Sequence, residues 1–136
     1  MNNSADYSLL YQGDLRTSIT HRRSGEVVVT DAPVDNNGKG ESFSPTDLVA
    51  TSLASCVMTI IGIHCNAKNI QFDSCDAKVE KIMGANPRRI KAINLEFDIS
   101  KNNWDQETRN SVIKAAKSCP VGITLEGQVK VDYKFN

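Results

Sequence analysis

The chain has 136 residues, with 16 basic side chains against 16 acidic ones and two histidines, so its formal charge is zero. That length suits a single domain over residues 1–136, because two smaller ones would each bury little core. Forty per cent apolar and 24% charged residues exclude a disordered or collagen-like chain, and the charge balance argues against nucleic acid or an anionic membrane as a partner held by bulk electrostatics.

The first residues, MNNSADYS, show neither the basic region nor the apolar run of a secretory leader. Three short strands are predicted next, over Tyr7–Gly13, Leu15–His21 and Glu26–Asp31, with Arg23-Ser24-Gly25 turning between the second and third. Residues 32–43 carry Pro33, Asn36, Asn37, Gly38 and Gly40 and read as a loop. Ser44 is a good N-cap, Pro45 fits the first helical position and Asp47 stands where a capping-box acid would, so a helix should run from there to about Ala67. Its interior, LVATSLASCVMTIIGI, has no polar face. A helix apolar or small all round is expected to be buried on all sides, and a chain this short needs a second copy to cover it. The uncharged window Leu48–Ile63 is shorter than the roughly 20 apolar residues of a membrane span, so a soluble, cytoplasmic protein is expected.

Ile70–Met83 reads as a long strand whose alternation slips near Cys75, as at a bulge. Gly84–Arg89 is a turn, and Ile93, Leu95, Phe97 and Ile99 alternate with polar residues in a half-buried strand. Asn103 can cap a second helix from Trp104 to about Lys117. Cys119-Pro120 opens a short segment through Leu125, and Val129, Val131, Tyr133 and Phe135 form a last strand. The order βββ-α-ββ-α-β makes the class α+β, with mostly antiparallel sheet.

Four cysteines without a CxxC pair are too sparse for a disulfide scaffold and, in the cytoplasm, rest as thiols. Cys56 sits mid-helix: it is either an inert core thiol or a reactive thiolate. It lies about three turns inside the helix, beyond reach of the helix dipole, so a reactive Cys56 needs a cation, and Arg22 and Arg23 are at hand in the early turn. Cys119 is either a packed thiol at a helix end or a second thiol that resolves an oxidised Cys56, 63 positions away in sequence. Cys65, nine residues after Cys56, lies on the opposite helix face about 13 Å along the axis, too far for a disulfide with it. Cys65 and Cys75 read as structural. Asp47 either completes the capping box or orients an arginine, though by the same nine-residue spacing it faces away from Cys56. His64 and Cys65 are adjacent and point about 100° apart, which suits one metal poorly, so no metal and no cofactor is expected. No nucleotide-binding glycine motif is present.

The segments SPTDLVATSLASC and CPVGITL, with the loop TDAPVDNNGKGESFSP before the first, resemble the OsmC/Ohr family of osmotically inducible and organic hydroperoxide resistance proteins, in its OsmC-like branch. The resemblance covers about residues 6–136. It implies an intertwined homodimer in which antiparallel sheets enclose the central helices. It also implies a thiol peroxidase for organic hydroperoxides: Cys56 attacks the peroxide and becomes a sulfenic acid, Cys119 condenses with it to a disulfide, and an external dithiol reduces that disulfide. The activating arginine it implies is Arg23, with Arg22 adjacent and Asp47 as a further orienting residue. Where the peroxidase branch has a glutamate after the helix-opening proline, this chain has Thr46, with Asp47 one step later. The competing reading is a dimer of this fold that binds a small apolar ligand, with its cysteines inert.

Overall fold

The computed structural model describes residues 4–136, which fall into two compact units meeting in sequence at Leu48/Val49. In the N-terminal unit three antiparallel strands, β1 (Tyr7–Gly13), β2 (Arg16–His21) and β3 (Val27–Asp31), form a sheet in chain order. The second strand starts one residue later than expected because Asp14 and Leu15 take positive φ in the β1–β2 turn, a conformation that a strand cannot contain. The β2–β3 hairpin is symmetric about Arg23/Ser24, so Thr20 faces Val27 and Arg16 faces Asp31.

That last pair locks the open end of the hairpin. Arg16 donates from Nε to Asp31 Oδ1 at 2.7 Å and from Nη2 to Asp31 Oδ2 at 2.8 Å, a bidentate fork. Asp31 is 1% exposed, and it also accepts from the Glu41 backbone N–H at 3.1 Å. The Asp31 N–H donates to Phe43 O. The loop is thereby pinned beside the start of α1 (Pro45–Lys68), where the expected capping box is formed: Asp47 N–H donates to Ser44 Oγ at 3.0 Å and Ser44 N–H to Asp47 Oδ2 at 2.9 Å.

From Val49 onward the helix belongs to the C-terminal unit. Ala50, Leu53, Ala54, Val57, Ile61 and Cys65 are buried at three- and four-residue spacing, one stripe of the helix. Val49, Ser55, Thr59 and Ile63 are exposed in the single chain, so burial on all sides is not met within one copy. The full helix, unlike the shorter uncharged window, is long and apolar enough to cross a membrane by length and composition; its buried stripe packs instead into the core with β5. It ends where Asn69 turns to positive φ and Ile70 N–H reaches back to Cys65 O at 2.9 Å.

The sheet of this unit has the order β4 (Asp76–Gly84), β5 (Arg89–Asp98), β6 (Lys130–Phe135). The expected strand from Ile70 begins only at Asp76. Its first residues are held by side chains instead of a neighbouring strand: Asn102 Oδ1 accepts from Asp73 and Ser74 N–H, and Trp104 Nε1–H donates to Gln71 O at 2.8 Å. The register shift lies at Ile82/Met83, not at Cys75. β6 runs parallel to β5, the exception in a fold whose other described pairings are antiparallel as expected, because α2 (Gln106–Ala116) and α3 (Pro120–Leu125) carry the chain back across the sheet before it re-enters. The cap of α2 is Asp105, whose side chain accepts from Thr108 N–H at 2.8 Å, and not Asn103, which takes positive φ closing a 3-10 turn. Ile93, Leu95 and Phe97 of the central strand are almost wholly buried against the α1 stripe, Val112 and Ala116.

The Arg16 fork holds the Asp31 carboxyl below its ordinary value of 3.8. A carboxyl depressed in the folded state adds stability above that value and loses it as pH falls through the folded one. Asp31→Asn is therefore expected to be less stable than the parent at pH 6, with the difference narrowing as urea unfolding is repeated toward pH 3. A gap that stays constant with pH would contradict this role.

Candidate functional site

The C-terminal unit brings two thiols together from opposite ends of its sequence. Cys56 is half-buried on α1, between Leu53 and Val57 of the packed stripe. Cys119 is 0% exposed, and it is the N-cap of α3 with Pro120 following. Its Sγ accepts the Gly122 N–H at 3.2 Å, so a sulfur does the work usually given to a serine or aspartate oxygen. Cys56 packs against the core cluster that includes Cys119, and both are free thiols. Burial pushes the Cys119 thiol up, Cys56 adds to that rise, and the Gly122 and Val121 N–H groups oppose it.

A third polar group stands beside the pair. Tyr133 lies on β6 opposite Leu95, and its ring stacks parallel to that of Phe135 at 6.4 Å. A Cβ on Gly122 would lie 3.0 Å from the Tyr133 hydroxyl, 3.2 Å from Cys119 Sγ and 3.5 Å from Leu53 Cδ1. The hydroxyl and the sulfur thus flank one point and are at most about 6 Å apart. Burial raises the Tyr133 hydroxyl, followed by the charges of Cys119 and Cys56. A cleft of about 250 Å³ leads to this corner, lined by Gly122, Ile123, Glu126, Val129, Val131 and Tyr133 among others.

Two of these residues escaped the sequence reading. Tyr133 carried a signal: it occupies an inward position of the alternating Val129–Phe135 strand, where a tyrosine brings a hydroxyl into the core. Gly122 carried none beyond its place three residues after Cys119.

The other candidates are distributed over both units. Arg22 and Arg23 are exposed in the β2–β3 turn of the N-terminal unit; Arg22 Nη1 donates to Ala5 O at 3.1 Å. That turn closes the end of β3 opposite to Asp31, whereas the capping box with Asp47 follows the Asp31 end. Asp47 forms the capping box with Ser44. Carboxylates hold Arg16, which the sequence reading passed over although the hairpin's symmetry sets it opposite Asp31. Cys65 is buried and its thiol is raised by burial; Cys75 is raised by burial and then by Asp76 and Asp98. His64 Nε2 meets Ser111 Oγ at 2.8 Å and His21 Nδ1 meets Ser24 Oγ at 2.6 Å, so both rings are satisfied locally. Among the described residues no three His, Cys, Asp or Glu side chains converge as a metal site.

A half-buried thiol on a core helix, facing a fully buried thiol at the start of a short one, defines a two-thiol corner in an α+β scaffold. The comparisons place that scaffold. The family model of the OsmC-like proteins matches residues 38–134. A structure from Psychrobacter arcticus 273-4, provisionally described as an osmotic stress induced and detoxification response protein, is 40% identical with a TM-score of 0.91, covering 100% of this chain and 98% of that one. The organic hydroperoxide resistance protein OsmC of Legionella pneumophila (20% identity, TM-score 0.76, covering 99% of each chain) shares the fold. So does OhrB of Bacillus subtilis, an organic hydroperoxide resistance protein (18% identity, TM-score 0.65, covering 96% of this chain and 97% of that one). The comparison with curated proteins finds no match. The chain belongs to the OsmC-like protein family.

Exposure divides the four thiols into two kinds: Cys56 and Cys75 are half-buried, Cys65 and Cys119 buried. Brief treatment of the reduced protein with iodoacetamide, followed by peptide mapping, is expected to label Cys56 ahead of Cys65 and Cys119, which react at least about tenfold more slowly, since burial both blocks access and disfavours the thiolate. Labelling of Cys119 ahead of Cys56 in the folded protein would contradict the assignment of the accessible thiol.

Proposed function

We propose that the protein is a thiol-dependent peroxidase that reduces organic hydroperoxides in the cytoplasm. The observation that carries this reading is the packing of Cys56 against the core cluster that holds Cys119, 63 positions away in sequence. Cys56, the more accessible of the two, attacks the terminal peroxide oxygen as a thiolate. The O–O bond breaks, the alcohol leaves once its alkoxide is protonated, and Cys56 carries a sulfenic acid. Cys119 then displaces the sulfenic oxygen as water and closes the disulfide. An external dithiol reopens it by exchange through a mixed disulfide. The fold shared with proteins named for organic hydroperoxide resistance supports the substrate class.

In this reading Arg23, with Arg22 beside it, supplies the cation that favours the Cys56 thiolate, and the working form is a homodimer. Apolar exposure supports the second copy. Leu9 and Leu10, on successive and therefore opposite faces of β1, are 65% and 63% exposed, and Tyr11, Val27 and Ile63 are exposed as well. No metal or cofactor enters the cycle.

Steady-state turnover of cumene hydroperoxide with excess dithiothreitol tests the assignment. Cys56→Ser is expected to abolish turnover. Cys119→Ser is expected to consume one equivalent of peroxide and then stall when the electron donor is a protein dithiol that attacks disulfides alone. Full turnover by Cys56→Ser would refute the mechanism. A native chain inert to peroxide that carries a small apolar molecule through purification would favour the binding-protein reading.

A further inference from the structure

The peroxidase reading leaves one problem open. When Cys119 attacks the sulfenic acid on Cys56, it must lose a proton, and the departing oxygen must gain one. Cys119 is 0% exposed, so its proton has no direct route to bulk water. The hydroxyl beside it offers another.

We propose that Tyr133 is a catalytic residue of the resolving step, relaying the Cys119 proton to the oxygen that leaves Cys56. Three observations support it. The Tyr133 hydroxyl and Cys119 Sγ flank the same point above Gly122, 3.0 and 3.2 Å from it. Leu53 Cδ1 reaches the same point at 3.5 Å, and Cys56 follows Leu53 by about one turn of α1, while the charges of both thiols act on the Tyr133 hydroxyl. Tyr133 also lines the cleft, which gives the departing water an exit past Gly122 and Val131.

The chemistry balances without another reagent. Cys119 Sγ bonds to the Cys56 sulfur, and the Cys56 S–O bond breaks with its electron pair going to oxygen. That oxygen takes the Tyr133 hydroxyl proton and leaves as water, while the phenolic oxygen takes the proton of the Cys119 thiol. Cys119 is oxidised, the Cys56 sulfur is reduced, and sulfenic acid plus thiol become disulfide plus water. A hydroxyl suits the task because it donates and accepts at one atom. Burial and the neighbouring thiols hold Tyr133 in its protonated form, so it enters the step ready to donate.

Gly122 is part of this arrangement. Its missing Cβ leaves the space into which hydroxyl and sulfur converge, and a methyl group there would crowd both. No positive φ is required at Gly122, so alanine meets a steric obstacle and not a backbone one.

The proposal rests on the peroxidase reading, and the test separates the two. Reduced native protein, Tyr133→Phe and Gly122→Ala are each mixed with one equivalent of cumene hydroperoxide. Peroxide loss and Cys56–Cys119 disulfide formation are followed by quench and mass mapping, with dimedone trapping the sulfenic acid. Tyr133→Phe is expected to consume peroxide within a few-fold of the native rate but to close the disulfide about 100-fold more slowly, the scale of a lost proton-transfer group, with dimedone-trapped Cys56 accumulating. Gly122→Ala, which keeps the hydroxyl but displaces it, is expected to slow the same step alone. A merely structural role for Tyr133 would slow both steps together or neither. Disulfide closure at the native rate in Tyr133→Phe overturns the relay and leaves the peroxidase reading intact. Native protein that consumes no peroxide removes the peroxidase reading and the relay with it.

Discussion

The candidate site depends on the seating of the α1 stripe against the central strand of the C-terminal sheet. Leu53, Val57 and Ile61 on the helix and Ile93, Leu95 and Phe97 on β5 share one core, each 2% exposed or less. Leu53 has a second role, since its Cδ1 reaches the corner at Gly122. The packing that buries Leu53 therefore also fixes where Cys56, three residues later on the same helix, stands relative to the start of α3. The rest of the corner is built from the other direction. β5 pairs with β6 in parallel, Leu95 faces Tyr133, and the crossover through α2 and α3 delivers Cys119 and Gly122 to the same place. Close packing in such a core tolerates little displacement, so the geometry of the thiols is inherited from apolar contacts and not from polar ones.

Burial then distinguishes the two thiols in the way the proposed peroxidase requires. Desolvation penalises a thiolate at Cys119 more than any neighbouring donor relieves it, and the Gly122 and Val121 N–H groups offset only part of that cost. A thiol held neutral and sealed from solvent is a poor first nucleophile toward a diffusing peroxide but a suitable second one, since its target is already bound beside it. Cys56, half-buried on the helix face, meets the opposite requirement. The N-terminal unit uses charge differently. The Arg16–Asp31 fork, extended by Glu41, ties strand to loop and holds the approach to the Ser44–Asp47 cap.

What the sequence disclosed follows from which interactions are local. The α1 start was legible because Ser44, Pro45 and Asp47 act within one turn, and the central strand because Ile93, Leu95, Phe97 and Ile99 alternate. The two thiols were identifiable as candidates, but their proximity is a product of tertiary structure that no spacing encodes. The failures have the same origin. Residues 70–75 look like strand until the Asn102 and Trp104 side chains take their backbone groups. Asn103 and Asp105 are both competent caps, and only the 3-10 turn at Ser100–Asn102 decides between them. The parallel direction of β6 depends on a crossover, which leaves no trace in an alternating pattern. Arg16 was overlooked in favour of the turn arginines because its partner is fifteen residues away, although the hairpin register alone would have set the two opposite each other.

The central claim, that Cys56 and Cys119 form one redox pair, is tested most directly on the native chain without any substitution. Fully reduced protein is exposed to one equivalent of cumene hydroperoxide, alkylated under denaturing conditions and mapped by mass spectrometry. The expected result is a Cys56–Cys119 disulfide formed in stoichiometric yield, with Cys65 and Cys75 recovered alkylated. Recovery of all four cysteines as alkylated thiols, or of a disulfide that omits Cys119, would contradict it.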